Sequence, residues 1–186
     1  QVLARRVAEL HVALAQRHGL PAFDPEPIRV ADLERWSESV RQECDRTLEL
    51  LTRRQATLSE PLAALAKRIV AARPALDARI AQAAAVPPAG LKTRLHGDMH
   101  LQQVLIARDD FLIIDFEGEP QRPLDERRVK HCALRDVAGM LRSLDYARHT
   151  ALHQTAQGAT EMERLAPAAR RWEQVVRQAF LQAYRE

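Results

Sequence analysis

Residues 96–120 read HGDMHLQQVLIARDDFLIIDFEGEP, and this stretch decides the fold. Val104-Leu105-Ile106-Ala107 and Phe111-Leu112-Ile113-Ile114 are two apolar, β-branched runs separated by the polar Arg108-Asp109-Asp110, which predicts an antiparallel hairpin. A polar cluster flanks it on each side, His96 to Gln103 before and Asp115 to Pro120 after. A three-residue turn over 108–110 sets Ala107 opposite Phe111, Val104 opposite Ile114 and Gln103 opposite Asp115. Directly opposed residues hold their Cβ atoms about 4.5–5.5 Å apart. An amide oxygen and a carboxylate then converge, and such oxygen donors suit a hard cation like Mg²⁺. Asp98 stands at the far end of the same short loop, free to act as a base on a hydroxyl beside that cation. Taken alone, His96-x-Asp98-x-His100 also has the spacing of a transition-metal site in a hydrolase.

Working outward, the hairpin is an island in a helical chain. The 186 residues hold 31 Ala and 24 Leu against 18 Val plus Ile, a mixture that favours helix. Leu3, Val7, Leu10 and Leu14 recur at helical spacing until Gly19 and Pro21 end the run. Pro21, Pro25 and Pro27 hold an extended linker. A long amphipathic helix is expected to about Gln55 and a third helical region over 59–85, which Pro74 kinks or splits. Pro87-Pro88-Ala89-Gly90 is a stop. Helix resumes at Leu134, and a last helical region from about Glu161 breaks near Pro167. The fold class is mainly α with a small β-hairpin (α+β). One domain over 1–186 is expected, helical over 1–90, with the catalytic loop, hairpin and metal loop over 91–120, and helical again over 134–186.

Composition excludes several functions. Only 6 Gly and 3 Lys are present, scattered so that no Gly-rich phosphate cradle can be written. A net charge of +3 with interleaved Arg and acid residues reads as solvated helix surface, not a nucleic-acid footprint. The chain lacks the apolar run of about 20 residues that a membrane span requires, and no signal-peptide pattern opens it. Two isolated cysteines fit no disulfide or metal framework. A cytoplasmic location follows as the expectation.

An Asp, an amide five residues on, a hairpin and an Asp-Phe pair together resemble the catalytic half of a protein-kinase-like site. His-Gly-Asp at the head of the loop is similar to the aminoglycoside and choline kinases. The runs RLHGDMHLQQVLIARDDFLIIDFEGEPQRPLDERR and LRDVAGMLRSLDYA, with ARRVAELHVALA and FDPEPI further upstream, most resemble the maltokinases, both stand-alone and fused to trehalose synthase. That resemblance implies ATP-dependent, Mg²⁺-dependent phosphorylation of maltose to maltose 1-phosphate, feeding α-glucan and glycogen synthesis. It implies Asp98 as catalytic base, His96 orienting its loop, and Gln103 with Asp115 as metal ligands. Glu117 would take a second Mg²⁺ or a sugar hydroxyl, Asp136 would anchor the loop backbone, and Arg142 and Tyr146 would reach the sugar.

The same resemblance implies a chain that is the large C-terminal lobe of a protein-kinase-like fold, with the small nucleotide-holding lobe absent. Lys67, Lys92 and Lys130 lack the strand context of a phosphate-binding lysine. The 186 residues alone are therefore expected to be inactive, and the parent to be longer, with a trehalose synthase as a possible covalent or non-covalent partner. Two other readings stay open: a kinase for another small sugar or an aminoglycoside, and a non-catalytic sugar-binding or interaction module.

Overall fold

A computed structural model describes all 186 residues as seven helices and five short strands. Contacts divide the chain into two compact units, one formed by 1–26 with 91–186 and the other by 27–90. The helical stretch 1–90 read from sequence is thus shared between the two units, 1–26 in the first and 27–90 in the second. The intervening unit closes on itself at its ends, where the Ile28 N–H donates to the Gly90 carbonyl at 3.1 Å.

That unit holds α2 (Val30–Arg54), α3 (Glu60–Ala71) and α4 (Arg73–Ala84). Pro74 splits the third helical region cleanly, because a proline is tolerated in the first turn of a new helix but not inside an old one. Leu48, Ala66 and Ile80 are its buried apolar side chains. Arg73 ties the helices by pairing with Asp45 at 2.5 Å and Asp77 at 2.8 Å.

In the larger unit, α1 (Val2–Leu14), α6 (Leu134–Thr155) and α7 (Ala159–Arg185) pack around a common core. Ala4 and Val7 come from α1, Val137 and Met140 from α6, and Phe180 and Ala183 from α7, while Met99 enters from the loop before the hairpin. The break expected near Pro167 does not occur; α7 runs through that residue. Losing one backbone hydrogen bond is tolerated where neighbouring helices hold the rod in place.

Strands β3 (Val104–Ala107) and β4 (Asp110–Ile113) form the hairpin. Its register differs by one residue from the sequence expectation: Val104 faces Ile113, Ile106 faces Phe111 and Ala107 faces Asp110. The turn is therefore Arg108-Asp109, with Arg108 at φ 57°, as at the first central position of a tight primed turn. Asp110 enters the strand because Arg6 of α1 grips it from both sides, Nε to Oδ1 and Nη2 to Oδ2, each at 2.8 Å.

A second small sheet, unforeseen in sequence, pairs β2 (Leu91–Thr93) with β5 (His131–Cys132); β1 spans Glu26–Pro27 and the short α5 spans Leu124–Arg127. Lys130 is buried there and donates to Glu26 at 2.5 Å and to the Pro21 carbonyl at 2.6 Å, with Lys92 3.3 Å from the same Glu26 carboxylate. Glu26 is held below the usual carboxylate range chiefly by the Lys130 hydrogen bond. Two of the three lysines are thus structural partners of one glutamate. No helix is long and apolar enough to cross a membrane.

Candidate active site

The loop carrying Asp98 is held from beneath by one carboxylate. Asp136, in the first turn of α6 and 1% exposed, accepts the His96 N–H on Oδ2 at 2.9 Å and the Gly97 N–H on Oδ1 at 3.0 Å. Two adjacent peptide groups are thereby pinned to one side chain, which is the strong, charge-assisted form of a backbone contact. Gly97 sits at φ +85°, where side chains are disfavoured, and a Cβ there would meet the Gly118 Cα at 3.4 Å.

His96 is buried with both ring nitrogens engaged. Its Nε2–H donates to the Ile114 carbonyl at 2.8 Å, and Nδ1 accepts the Asp98 N–H at 3.3 Å. The imidazole joins the end of β4 to the base of the loop, and its ring packs 5.1 Å from that of Phe116. With no nitrogen free it cannot serve as a metal ligand, which removes the His96-x-Asp98-x-His100 alternative.

The same face of α6 carries the loop further along. Gly139 lies against Met99, so close that a Cβ would stand 2.6 Å from the Met99 carbonyl oxygen. Ser143 Oγ accepts the Leu101 N–H at 2.9 Å. Positions 136, 139, 140 and 143 recur at helical spacing, so one helix face is the loop's seat.

Asp98 itself stays about a quarter exposed, its Oδ2 3.6 Å from His100 Nε2. Beyond a single 3₁₀ turn at Leu101–Gln103, Gln103 Nε2 donates to Asp115 Oδ2 at 2.9 Å. This pair meets despite the shifted register, in which Gln103 opposes Ile114 and accepts its N–H at 3.0 Å. Asp115 lies one residue beyond, at φ 65°, and this left-handed residue takes the chain off the ladder while its carboxylate falls beside the amide. Asp is one of the few side-chain-bearing residues that adopt such a turn. Gln103 Oε1 and Asp115 Oδ1 remain for another ligand, and an all-oxygen set fits a hard divalent cation such as Mg²⁺.

Glu117 is exposed in the loop after Asp115, and its carbonyl accepts from Arg127 Nη1 at 3.2 Å. Glu119 pairs with Arg122 at 2.5 Å and stands 3.7 Å from Arg135. Burial lowers the Arg135 guanidinium from its usual range, as does neighbouring Arg122. Arg142 and Tyr146 are exposed on α6, Tyr146 by 74%. The helix rise of about 1.5 Å per residue puts Tyr146 roughly 15 Å along the axis from Asp136. On the same turn of α6 as Arg142, Ser143 makes the hydrogen bond to the loop.

Sequence reasoning missed His11. It is 6% exposed on the buried side of α1 with Ala4 and Val7, and its Nε2 lies 3.2 Å from Asp136 Oδ2 while Nδ1 lies 2.8 Å from the Tyr184 hydroxyl. The available signal was a histidine on an apolar helical stripe, which reads equally well as packing.

The loop geometry and the hairpin on a helical base define the class: a kinase-like fold. No family model matches the chain. It is 32% identical over 184 residues to a glucosamine kinase of Streptacidiphilus jiangxiensis, covering 98% of this chain and 36% of that protein. A glucosamine kinase of Mycolicibacterium smegmatis is 29% identical over 168 residues, 90% of this chain and 37% of its own. A solved glucosamine kinase in complex with glucosamine, ADP and inorganic phosphate superposes with a TM-score of 0.77 at 28% identity, over 98% of this chain and 38% of that one. The chain therefore spans little more than a third of the relatives it matches, and over that third it shares their fold.

Proposed function

We propose that this chain supplies the base and the cation-binding arm of an ATP-dependent sugar kinase, with glucosamine as the acceptor. The observation that carries this reading is one assembly: Asp98 on a loop pinned by Asp136, one 3₁₀ turn from the Gln103–Asp115 pair. Similarity to glucosamine kinases in sequence and fold supports the sugar class. Maltose and a trehalose synthase partner rest on motif resemblance alone.

Asp98 takes the proton of a sugar hydroxyl as its oxygen bonds to the terminal phosphorus of ATP. The bond from that phosphorus to the bridging oxygen breaks, and ADP leaves with the electron pair. Positioning and charge neutralisation carry such transfers, so a base on a fixed loop is what the chain must provide. Gln103 and Asp115 would hold Mg²⁺, with Glu117 as a further ligand or a sugar-hydroxyl acceptor. When bound, the cation offsets phosphate charge. His96 fixes the loop, both its ring nitrogens being engaged in doing so.

The test is ADP release by the intact protein with ATP, Mg²⁺ and, in separate reactions, glucosamine, maltose and an aminoglycoside. Glucosamine-dependent turnover is expected. Asp98→Asn should lower kcat by about 10²–10⁴-fold, the usual contribution of a general base, while calorimetry still detects glucosamine binding. Turnover with maltose but not glucosamine would overturn the acceptor and keep the kinase. ATP consumption with none of the three would overturn both.

A further inference from the structure

Three side chains on three helices meet in a line beneath the Asp98 loop: Tyr184 of α7, His11 of α1 and Asp136 of α6. All three are at least partly buried, and His11 and Asp136 almost fully. Partner chemistry assigns the protons. Asp136 already accepts two backbone N–H groups and can only accept again, so His11 Nε2 carries the hydrogen at 3.2 Å. His11 Nδ1 is then an acceptor, and the Tyr184 hydroxyl donates to it at 2.8 Å. Burial pushes the Tyr184 phenol above its usual range, which keeps that donor in place. Tyr184 is itself stacked on Phe180, with ring centroids 6.5 Å apart and planes 5° apart.

A carboxylate with two oxygens and three buried donors has little freedom to turn. Without His11, Asp136 keeps its two backbone contacts but loses the one donor that comes from outside the loop it supports. Rotation of the carboxylate would then carry the His96 and Gly97 peptides with it, and Asp98 is the next residue. We infer that His11, oriented by Tyr184, is a positioning residue for the Asp98 loop: it fixes the Asp136 carboxylate and hence the place of the base. The role in turnover rests on the kinase reading above; the link to loop order does not.

The experiment compares His11→Phe, His11→Gln and Tyr184→Phe in the intact protein, by kinetics and by backbone hydrogen exchange over residues 95–101. Phe fills the ring's space without a donor, and Gln restores an N–H donor to Asp136. His11→Phe is expected to lower kcat about tenfold or more, the scale on which sub-ångström misplacement acts, with KM for ATP and sugar within about twofold. The His96 and Gly97 amides should exchange faster, as expected when local protection is lost. His11→Gln should recover most of both, and Tyr184→Phe should show the same pattern more weakly.

Wild-type kcat and protection in both His11 variants would overturn the inference, as would a Gln variant no better than Phe. If the wild-type protein phosphorylates no sugar, the function proposed above falls, and exchange at His96 and Gly97 alone decides the positioning role. If His11→Phe does not fold, Tyr184→Phe decides it, unchanged exchange and rate overturning the inference.

Discussion

Gly139 shows how narrow the tolerance beneath the catalytic loop is. It lies mid-helix, where glycine costs about 1 kcal/mol relative to alanine, yet a Cβ would stand 2.6 Å from the Met99 carbonyl oxygen. The clash is with backbone, so no rotamer change relieves it. Gly139→Ala is expected to destabilise the fold by about 1–3 kcal/mol, the range for overpacking, read as a lowered denaturation midpoint. The gain in helix propensity does not offset it. At this scale the sequence was partly legible. Asp98, Gln103 and Asp115 were picked out by residue type and spacing around a hairpin, and Asp136 by the kinase resemblance of the run that carries it. His11, Ser143 and Gly139 did not, because each acts by meeting a residue distant in sequence on another element.

The hairpin shows the same divide among elements. Its two strands were legible because β-branched runs either side of a polar turn have few other uses. The register was not, because Asp110 reads as a turn residue until Arg6 of α1 is seen gripping it. A tertiary ion pair moved one residue from turn to strand and left Arg108 in the left-handed region. Arg108→Gly is expected to raise stability by about 0.5–1 kcal/mol, the left-handed strain relieved less the freedom glycine gains when unfolded, measured as a higher urea midpoint. No change would mean that Arg108 is unstrained there. Helix α7 makes the complementary point: Pro167 is a local breaker, but packing on α1 and α6 carried the helix through it.

For the molecule as a whole, the helical unit over 27–90 and the unit that holds the site fold around separate cores, and every residue of the candidate site belongs to the second. Stability of that unit should depend on pH through His131. Burial first, and then neighbouring Arg135, lower its pKa from 6.5 to about 4. Between those values the unfolded chain binds a proton that the folded one excludes, so this contribution is complete above pH 6.5 and is lost as pH falls towards 4. The difference amounts to about 3 kcal/mol at most. Urea unfolding at pH 7 and pH 4.5 should show the fall, and His131→Gln should reduce it; an unreduced fall would assign it to other groups.

The sequence by itself determined the helical class, the hairpin, the loop before it and the residue types of the site. These are properties of local pattern: apolar period, β-branched content, turn residues and the short separation of Asp98, Gln103 and Asp115. Tertiary structure alone decided the hairpin register, the two-unit division and the chain from Tyr184 through His11 to Asp136. The register and that chain each depend on side chains more than a hundred residues apart meeting across elements, and the energy of such a meeting is set by packing and desolvation that no local stretch of sequence encodes.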